Sequence, residues 1–138
     1  MKKTVYTLTV MAFALCLCAC ASNQPAVVDM ADNSENSLDW AGTYTGLIPA
    51  ADAPGINVTI TLNPDLTYEM RYEYIDHPDS NFTDTGAFTW DKDGSVIKLD
   101  AAIVPPYYKV GENQLTQLDM EGNLITGALA DNYLLKKN

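Results

Sequence analysis

His77 is the one histidine in this 138-residue chain, and it stands in the run Ile75-Asp76-His77-Pro78-Asp79. An imidazole between two carboxylates is a corner that Cu(II) or Zn(II) accepts, although a single imidazole in a turn is more often a plain polar turn residue. Met30, Met70 and Met120 offer thioethers of the kind that suit Cu(I). Nothing in their spacing brings them together, and Met70 falls among alternating aromatic residues, where a methionine fills a core. Nucleophilic catalysis needs a base beside the serine or cysteine, and His77 is the only imidazole on offer. The acidic pair Asp91/Asp93 lies in Asp-Lys-Asp-Gly, which turn chemistry explains fully, and the scattered glycines form no phosphate-binding loop. The residues therefore predict no catalytic site and no cofactor, with His77, Met70 and Met120 as weak metal candidates only.

The other reactive residues are Cys16, Cys18 and Cys20, all at the end of an N-terminal segment with its own character. Lys2 and Lys3 precede a mostly apolar run over residues 5–17, and small residues follow, which is the layout of a secretory signal. The run is interrupted by Tyr6, Thr7 and Thr9 and falls short of the roughly 20 apolar residues that span a bilayer. Leu17-Cys18-Ala19-Cys20 resembles a bacterial lipobox, in which the signal is cut just before a cysteine that carries acyl chains. Only Cys20 has a small residue before it and an aliphatic one three places earlier. The reading is a lipoprotein signal over residues 1–19 and lipid attachment at Cys20. The mature chain then keeps one acylated cysteine, with no disulfide and no thiolate site inside the molecule. Several acyl chains on one residue hold a protein to a membrane durably, whereas one chain binds only marginally. Ala21-Ser22 after the cysteine resembles the enterobacterial signal for the outer membrane.

The formal charge is −10; losing Lys2 and Lys3 leaves 18 acidic and 6 basic residues, or −12. A chain this acidic is expected to be repelled by nucleic acid and by anionic headgroups, and it suits a solvated envelope domain. Residues 21–36, rich in Ala, Asn, Asp and Ser and free of aromatics, read as the rest of a tether over residues 20–36. About 16 flexible residues reach roughly 20–25 Å.

From Ser37 onward the period is two. Ile56, Val58, Ile60 and Leu62 alternate with Asn57, Thr59 and Thr61, the pattern of a half-buried strand. Residues 40–47 form a strand before it, and a Pro/Ala/Gly loop over residues 49–55 joins the two. Tyr68, Met70, Tyr72 and Tyr74 share a face of the next strand opposite Glu69, Arg71 and Glu73. Further strands are expected at residues 82–90, with Gly86 marking a bulge or bend, and at 96–99, 107–110 and 114–119. A short segment at Ile125 and a strand over residues 132–136 complete the set. About eight short strands with hairpin turns predict an all-β domain over residues 37–138, a small antiparallel up-and-down barrel without edges. Trp40, Tyr44, Tyr68, Tyr72, Tyr74, Phe88 and Trp90 would either fill that barrel or line a cavity for a small apolar ligand.

Three runs, SLDWAGTYTGLIPAADAPGI, TGAFTWDKDGSVIKL and YYKVGENQLTQLDMEGNLITGALADNYLLKK, resemble the N-terminal domain of the NlpE lipoproteins over residues 37–137. The resemblance implies a lipocalin-like barrel on a lipidated N-terminus. It also implies a family associated with copper resistance and with reporting envelope stress or surface contact to the Cpx two-component system. The implied partners are the membrane, through the acyl chains, and an envelope sensor or lipoprotein-handling protein. The family loop Pro-Cys-Ala-Asp-Cys-Pro-Gly reads Pro49-Ala50-Ala51-Asp52-Ala53-Pro54-Gly55 here. Two thiolates three residues apart grip Cu(I); the methyl groups of Ala50 and Ala53 do not, so that metal chemistry is not carried over. Many members also carry a further β-domain after the barrel, and functions resting on it are not implied for these residues. The lead expectation is a non-catalytic sensing or binding lipoprotein, with a lipocalin-like carrier of an apolar ligand as the alternative. Replacing Cys20 with Ser is expected to leave an unacylated, unprocessed precursor, read directly from the mass of the intact protein.

Overall fold

The computed structural model describes residues 32–101 and 104–138, so Cys16, Cys18, Cys20 and Met30 lie outside the described residues. One helical turn, α1 (Ser34–Ser37), precedes eight strands: β1 (Gly42–Ile48), β2 (Ile56–Leu62), β3 (Thr67–Tyr74), β4 (Phe82–Trp90), β5 (Val96–Leu99), β6 (Tyr107–Gly111), β7 (Gln114–Gln117) and β8 (Leu134–Lys137). Each strand pairs antiparallel with the next in sequence, and β8 returns to β1, so the sheet closes as an up-and-down barrel. The closing seam is short, Tyr44 opposite Lys137 and Thr45 opposite Lys136. It needs Gly46, because a Cβ there would stand 2.6 Å from the Leu134 carbonyl oxygen.

The register follows from the alternation. Val58, Ile60 and Leu62 of β2 stand opposite Tyr72, Met70 and Tyr68 of β3, so apolar side chains meet on the inside. Their outward neighbours Thr59 and Thr61 meet Arg71 and Glu69. Slipping by one residue would turn every one of these side chains to the wrong face. Each large apolar side chain buried in this way contributes about 1.5–3 kcal/mol.

The interior is filled. Tyr44, Ile60, Tyr108, Ile97, Leu115 and Leu135 are fully buried, with Tyr68, Tyr72, Met70 and Phe88 nearly so. A buried hydroxyl needs a partner. Tyr72 and Tyr108 bond each other at 3.2 Å, Tyr68 donates to Asp84 Oδ2 at 2.8 Å, and Tyr44 donates to the Trp40 carbonyl at 2.6 Å. Trp40, Phe88 and Trp90 pack edge to face, with ring centroids 5.7 to 6.5 Å apart. Of the seven aromatics expected to fill or line the barrel, four are buried in it, while Trp40, Tyr74 and Trp90 pack against the core from partly exposed positions.

The structure departs from the sequence pattern in four places. Gly86 makes no bulge: the β3–β4 register runs unbroken from Thr67 opposite Ala87 to Tyr72 opposite Phe82. The glycine instead makes room for the Tyr68 ring, which a Cβ would approach to 3.0 Å. No strand forms at Ile125; the segment contributes a single bridge, Leu118 to Leu124. The residues just before β8 coil into a 3-10 turn, Ala130–Tyr133, whose i to i−3 bonds run from Ala130 N to Gly127 O and from Asn132 N to Leu129 O. Tyr133 therefore precedes the last strand rather than sharing its face. Finally, the end of the expected tether is structured. Asn33 and Asn36 form a capping box, Ser34 Oγ donates to the Val110 carbonyl at 2.7 Å, and the Glu35 amide donates to the Gly94 carbonyl at 3.0 Å. Trp40 Nε1 bonds Glu35 O at 3.0 Å and ties the turn to the aromatic cluster.

Burial lifts the hydroxyls of Tyr44 and Tyr72 from the ordinary 10.0 to about 12, with the Asp39 carboxylate adding to the rise at Tyr44. Between those pH values the folded chain holds protons that the unfolded chain has released, so stability falls as pH rises. Thermal unfolding is expected to be insensitive to these groups below pH 10 and to drop steeply between pH 10 and about 12. Tyrosinate absorbance should rise for these residues together with unfolding.

Candidate functional site

An up-and-down meander sends alternate connections to opposite ends. The β1–β2, β3–β4, β5–β6 and β7–β8 connections share one end, the mouth. The β2–β3, β4–β5 and β6–β7 turns share the other, the floor, where α1 docks.

At the mouth, Ile48 pairs with Ile56 and closes the base of the loop over residues 49–55. Gly55 is buried, and its carbonyl accepts from the Ile75 amide at 3.0 Å, which ties the loop to the end of β3. The chain then reverses at Asp76, which adopts φ +63°, a left-handed conformation that aspartate tolerates better than most residues. His77 follows, and its amide donates to Tyr74 O at 3.2 Å. The 3-10 turn Pro78–Ser80 is held by Ser80 N to His77 O and Asn81 N to Pro78 O. Asn81 Oδ1 reaches back to accept from the Tyr74 amide at 2.7 Å.

These two connections enclose a cleft of about 400 Å³ bordered by Ala50, Asp52, Ala53, Tyr74, His77 and Ser80. The structure thus brings His77 to the loop that carries Ala50 and Ala53, a meeting of residues more than twenty positions apart. Its chemistry is thin. Ala50 packs against the core and Ala53 is half-buried, and neither offers a ligand atom. Among the described residues no group of three or more His, Cys, Asp or Glu side chains converges to hold a metal ion. Met70 faces the barrel interior at 1% exposure and is core. Met120 is 57% exposed in the β7–β8 connection, outside the residues that border the cleft. The three weak metal candidates are therefore not brought together.

A family model described as the NlpE N-terminal domain matches residues 44–128, a span that includes the whole cleft. The chain belongs to the NlpE family. It is 28% identical to the lipoprotein NlpE of Escherichia coli (strain K12) over 142 residues, covering 99% of this chain and 57% of that protein. This NlpE domain thus spans little more than half the length of that relative. A crystal structure of a candidate lipoprotein from Shewanella oneidensis superposes with a TM-score of 0.71 at 46% identity, covering 78% of this chain and 96% of that one. The crystal structure of the Escherichia coli Cpx pathway activator NlpE superposes with a TM-score of 0.51 at 26% identity, covering 62% of this chain and 46% of that one.

What the sequence pattern missed is the closeness of the two mouth loops. Loop parity held the signal, since in a meander the first and third connections must share an end. Asn81→Ala removes the bond that pins the His77 turn to Tyr74. A loss of about 1 kcal/mol is expected in denaturant unfolding. Amide exchange should quicken at Tyr74 and Ser80, with the strands β5–β8 unaffected.

Proposed function

We propose that this chain is a lipid-anchored, non-catalytic NlpE-type lipoprotein of the cell envelope, held at the outer membrane through Cys20. In this reading the barrel reports on envelope stress by contact with a protein partner of the Cpx sensor kind. Membership of the family and the likeness to a Cpx pathway activator support it. The observation that carries it furthest is the mouth itself. The cleft keeps its Pro49 and Gly55 frame and its fixed His77 turn, while Ala50 and Ala53 stand where the family resemblance expects thiolates. A recognition surface is thereby kept without its copper ligands. His77 and Asp52 alone make a poor site for Cu(I), which prefers sulfur.

The carrier alternative finds no support in the interior. An apolar ligand there would have to displace the bonded pair Tyr72 and Tyr108 and the side chains packed around it.

A Cu(I) competition titration on the processed protein, freed of Cys16 and Cys18 and acylated at Cys20, run beside the Ala50→Cys/Ala53→Cys variant in the same form, tests the assignment of the mouth. Only the variant is expected to bind tightly. Tight binding by the natural chain would overturn the loss of copper chemistry and make His77, Met70 and Met120 the residues to replace next. Crosslinking in intact cells should in turn capture an envelope sensor protein at the mouth loops.

A further inference from the structure

Charge is not spread evenly around this acidic barrel. Strands β5, β6, β7 and β8 contain Lys98, Lys109, Lys136 and Lys137 and not one Asp or Glu, whereas β1–β4 carry Glu69, Glu73 and Asp84 against a single Arg71. Lys137 turns to Asp39, with Nζ 3.1 Å from the carboxylate, and Arg71 is taken up by Glu73 at 3.1 Å. Lys98, Lys109 and Lys136 are exposed, and among the described residues none of the three forms a salt bridge.

The register places these three ammonium groups on one outer wall. Lys109 stands between Val96 on β5 and Thr116 on β7, Lys98 stands opposite Tyr107, and Lys136 stands opposite Gln114. Lys98 also lies over the Tyr107 ring, 5.5 Å from its centroid. Half-buried Val96, Tyr107 and Leu134 fill the spaces between the lysines. From β5 to β8 the wall is about 15 Å wide, at the usual spacing between neighbouring strands. Carboxylates flank it at its borders: Asp100 just past β5, Glu112 in the β6–β7 turn, Asp91 and Asp93 in the β4–β5 turn, Asp119 just past β7, and Asp39, which the Lys137 ammonium engages. Asp91 is directed into its own turn, where Oδ1 accepts from the amides of Ser95 and Val96.

We propose that the β5–β8 wall is a membrane-facing surface that lies against anionic phospholipid headgroups. The proposal rests on the lipid-anchored reading given above. Lysine heads on apolar stems beside tyrosine and aliphatic side chains are the composition that sits at a headgroup boundary. The net negative charge of the chain does not forbid contact, because charges beyond a Debye length of about 8 Å from the lipid plane are largely screened. The outward carboxylates Glu69 and Glu73 stand on β3, separated from this wall by β4, and Asp84 of β4 is engaged by the Tyr68 hydroxyl. The leash has the right origin and length. It enters at α1, bonded to Val110 of β6 and to Gly94 just before β5. Twelve residues separate Cys20 from Asn33, and a flexible chain of that length would span roughly 20 Å, enough to pass along the roughly 13–17 Å of four- and five-residue strands.

Full-length protein, with acylation first verified by intact mass, is reconstituted on vesicles of phosphatidylcholine alone or of phosphatidylcholine and phosphatidylglycerol in equal parts. Amine labelling at each lysine is then read by mass spectrometry. Each lysine near an anionic surface adds about fivefold to binding. Labelling of Lys98, Lys109 and Lys136 should therefore slow by roughly fivefold or more on the anionic vesicles only, and high salt should restore it. The Lys98→Gln/Lys109→Gln/Lys136→Gln variant, checked for an unchanged unfolding midpoint, should lose the difference between the vesicles in amide exchange of β6 and β7. Equal labelling on both vesicle types overturns the docking while leaving the anchor intact. Protection of Lys92 alone overturns it in favour of the floor. Protection in isolated envelopes but not on vesicles overturns it in favour of a protein partner. A chain that carries no acyl group overturns the anchored reading, and the docking falls with it.

Discussion

The seam between β1 and β8 is the contact on which the barrel depends. It consists of two facing pairs, Tyr44 with Lys137 and Thr45 with Lys136, extended by the bond from the Asn138 amide to Thr43 O. Without it β1 and β8 would be open edges, and the inward residues of both strands would face water. With it, every strand has two neighbours and the interior becomes a fixed volume to be filled. Gly46 is the local condition for that seam, since only a residue without a Cβ lets the β8 backbone come so near. The closing salt bridge from Lys137 to Asp39 adds little, because the Asp39 carboxylate is 93% exposed and well solvated. Closure is held by backbone pairing and by the burial of Leu135 and Tyr44, not by charge.

A filled interior leaves contacts to the outside of the barrel. Lipocalin-like barrels accommodate a ligand when their inward residues leave room, and this one spends its volume on tyrosines whose hydroxyls satisfy one another or a nearby acceptor. What remains for contact is the rim and the outer wall. At the rim the backbone is well tied, through Gly55 to Ile75 and Tyr74 to Asn81, while the side chains around the cleft are modest: three alanine methyl groups, one carboxylate, one imidazole and two hydroxyls among them. The rim is thus a precise backbone frame around sparse chemistry.

Period-two alternation revealed β2 and β3 almost to the residue, because each strand buries its inner face far more deeply than its outer one. The same rule failed at Ile125, where one apolar residue has no alternating neighbours to hold it in a sheet. It also failed at Tyr133, where Gly127, at φ +105°, and the Asp131-Asn132 pair favour a tight turn before β8 can begin. Gly86 was legible as a special position, but its reason was not. A glycine that bends a strand and a glycine that seats a ring across the sheet look alike until the partner, Tyr68, is known. The α1 turn was hidden for a different reason. Its stability comes from Ser34, Glu35 and Trp40 bonding to groups far along the chain or to one another, and a polar segment gives no periodic sign of that. The mouth was half legible: the odd loop over residues 49–55 announced itself, and the histidine beside it did not.

An even number of strands brings the chain back to the end from which it set out. The Asn138 amide bonds Thr43 O, and Lys137 reaches Asp39, so entry and exit lie side by side on the floor. The domain is in effect a bead strung through one pole. Anything spliced on before β1 or after β8 gathers at that pole, and the opposite pole stays clear. Natural variation can therefore lengthen, shorten or recombine the flanks without reaching the loops, and can rewrite the loops without loosening the seam.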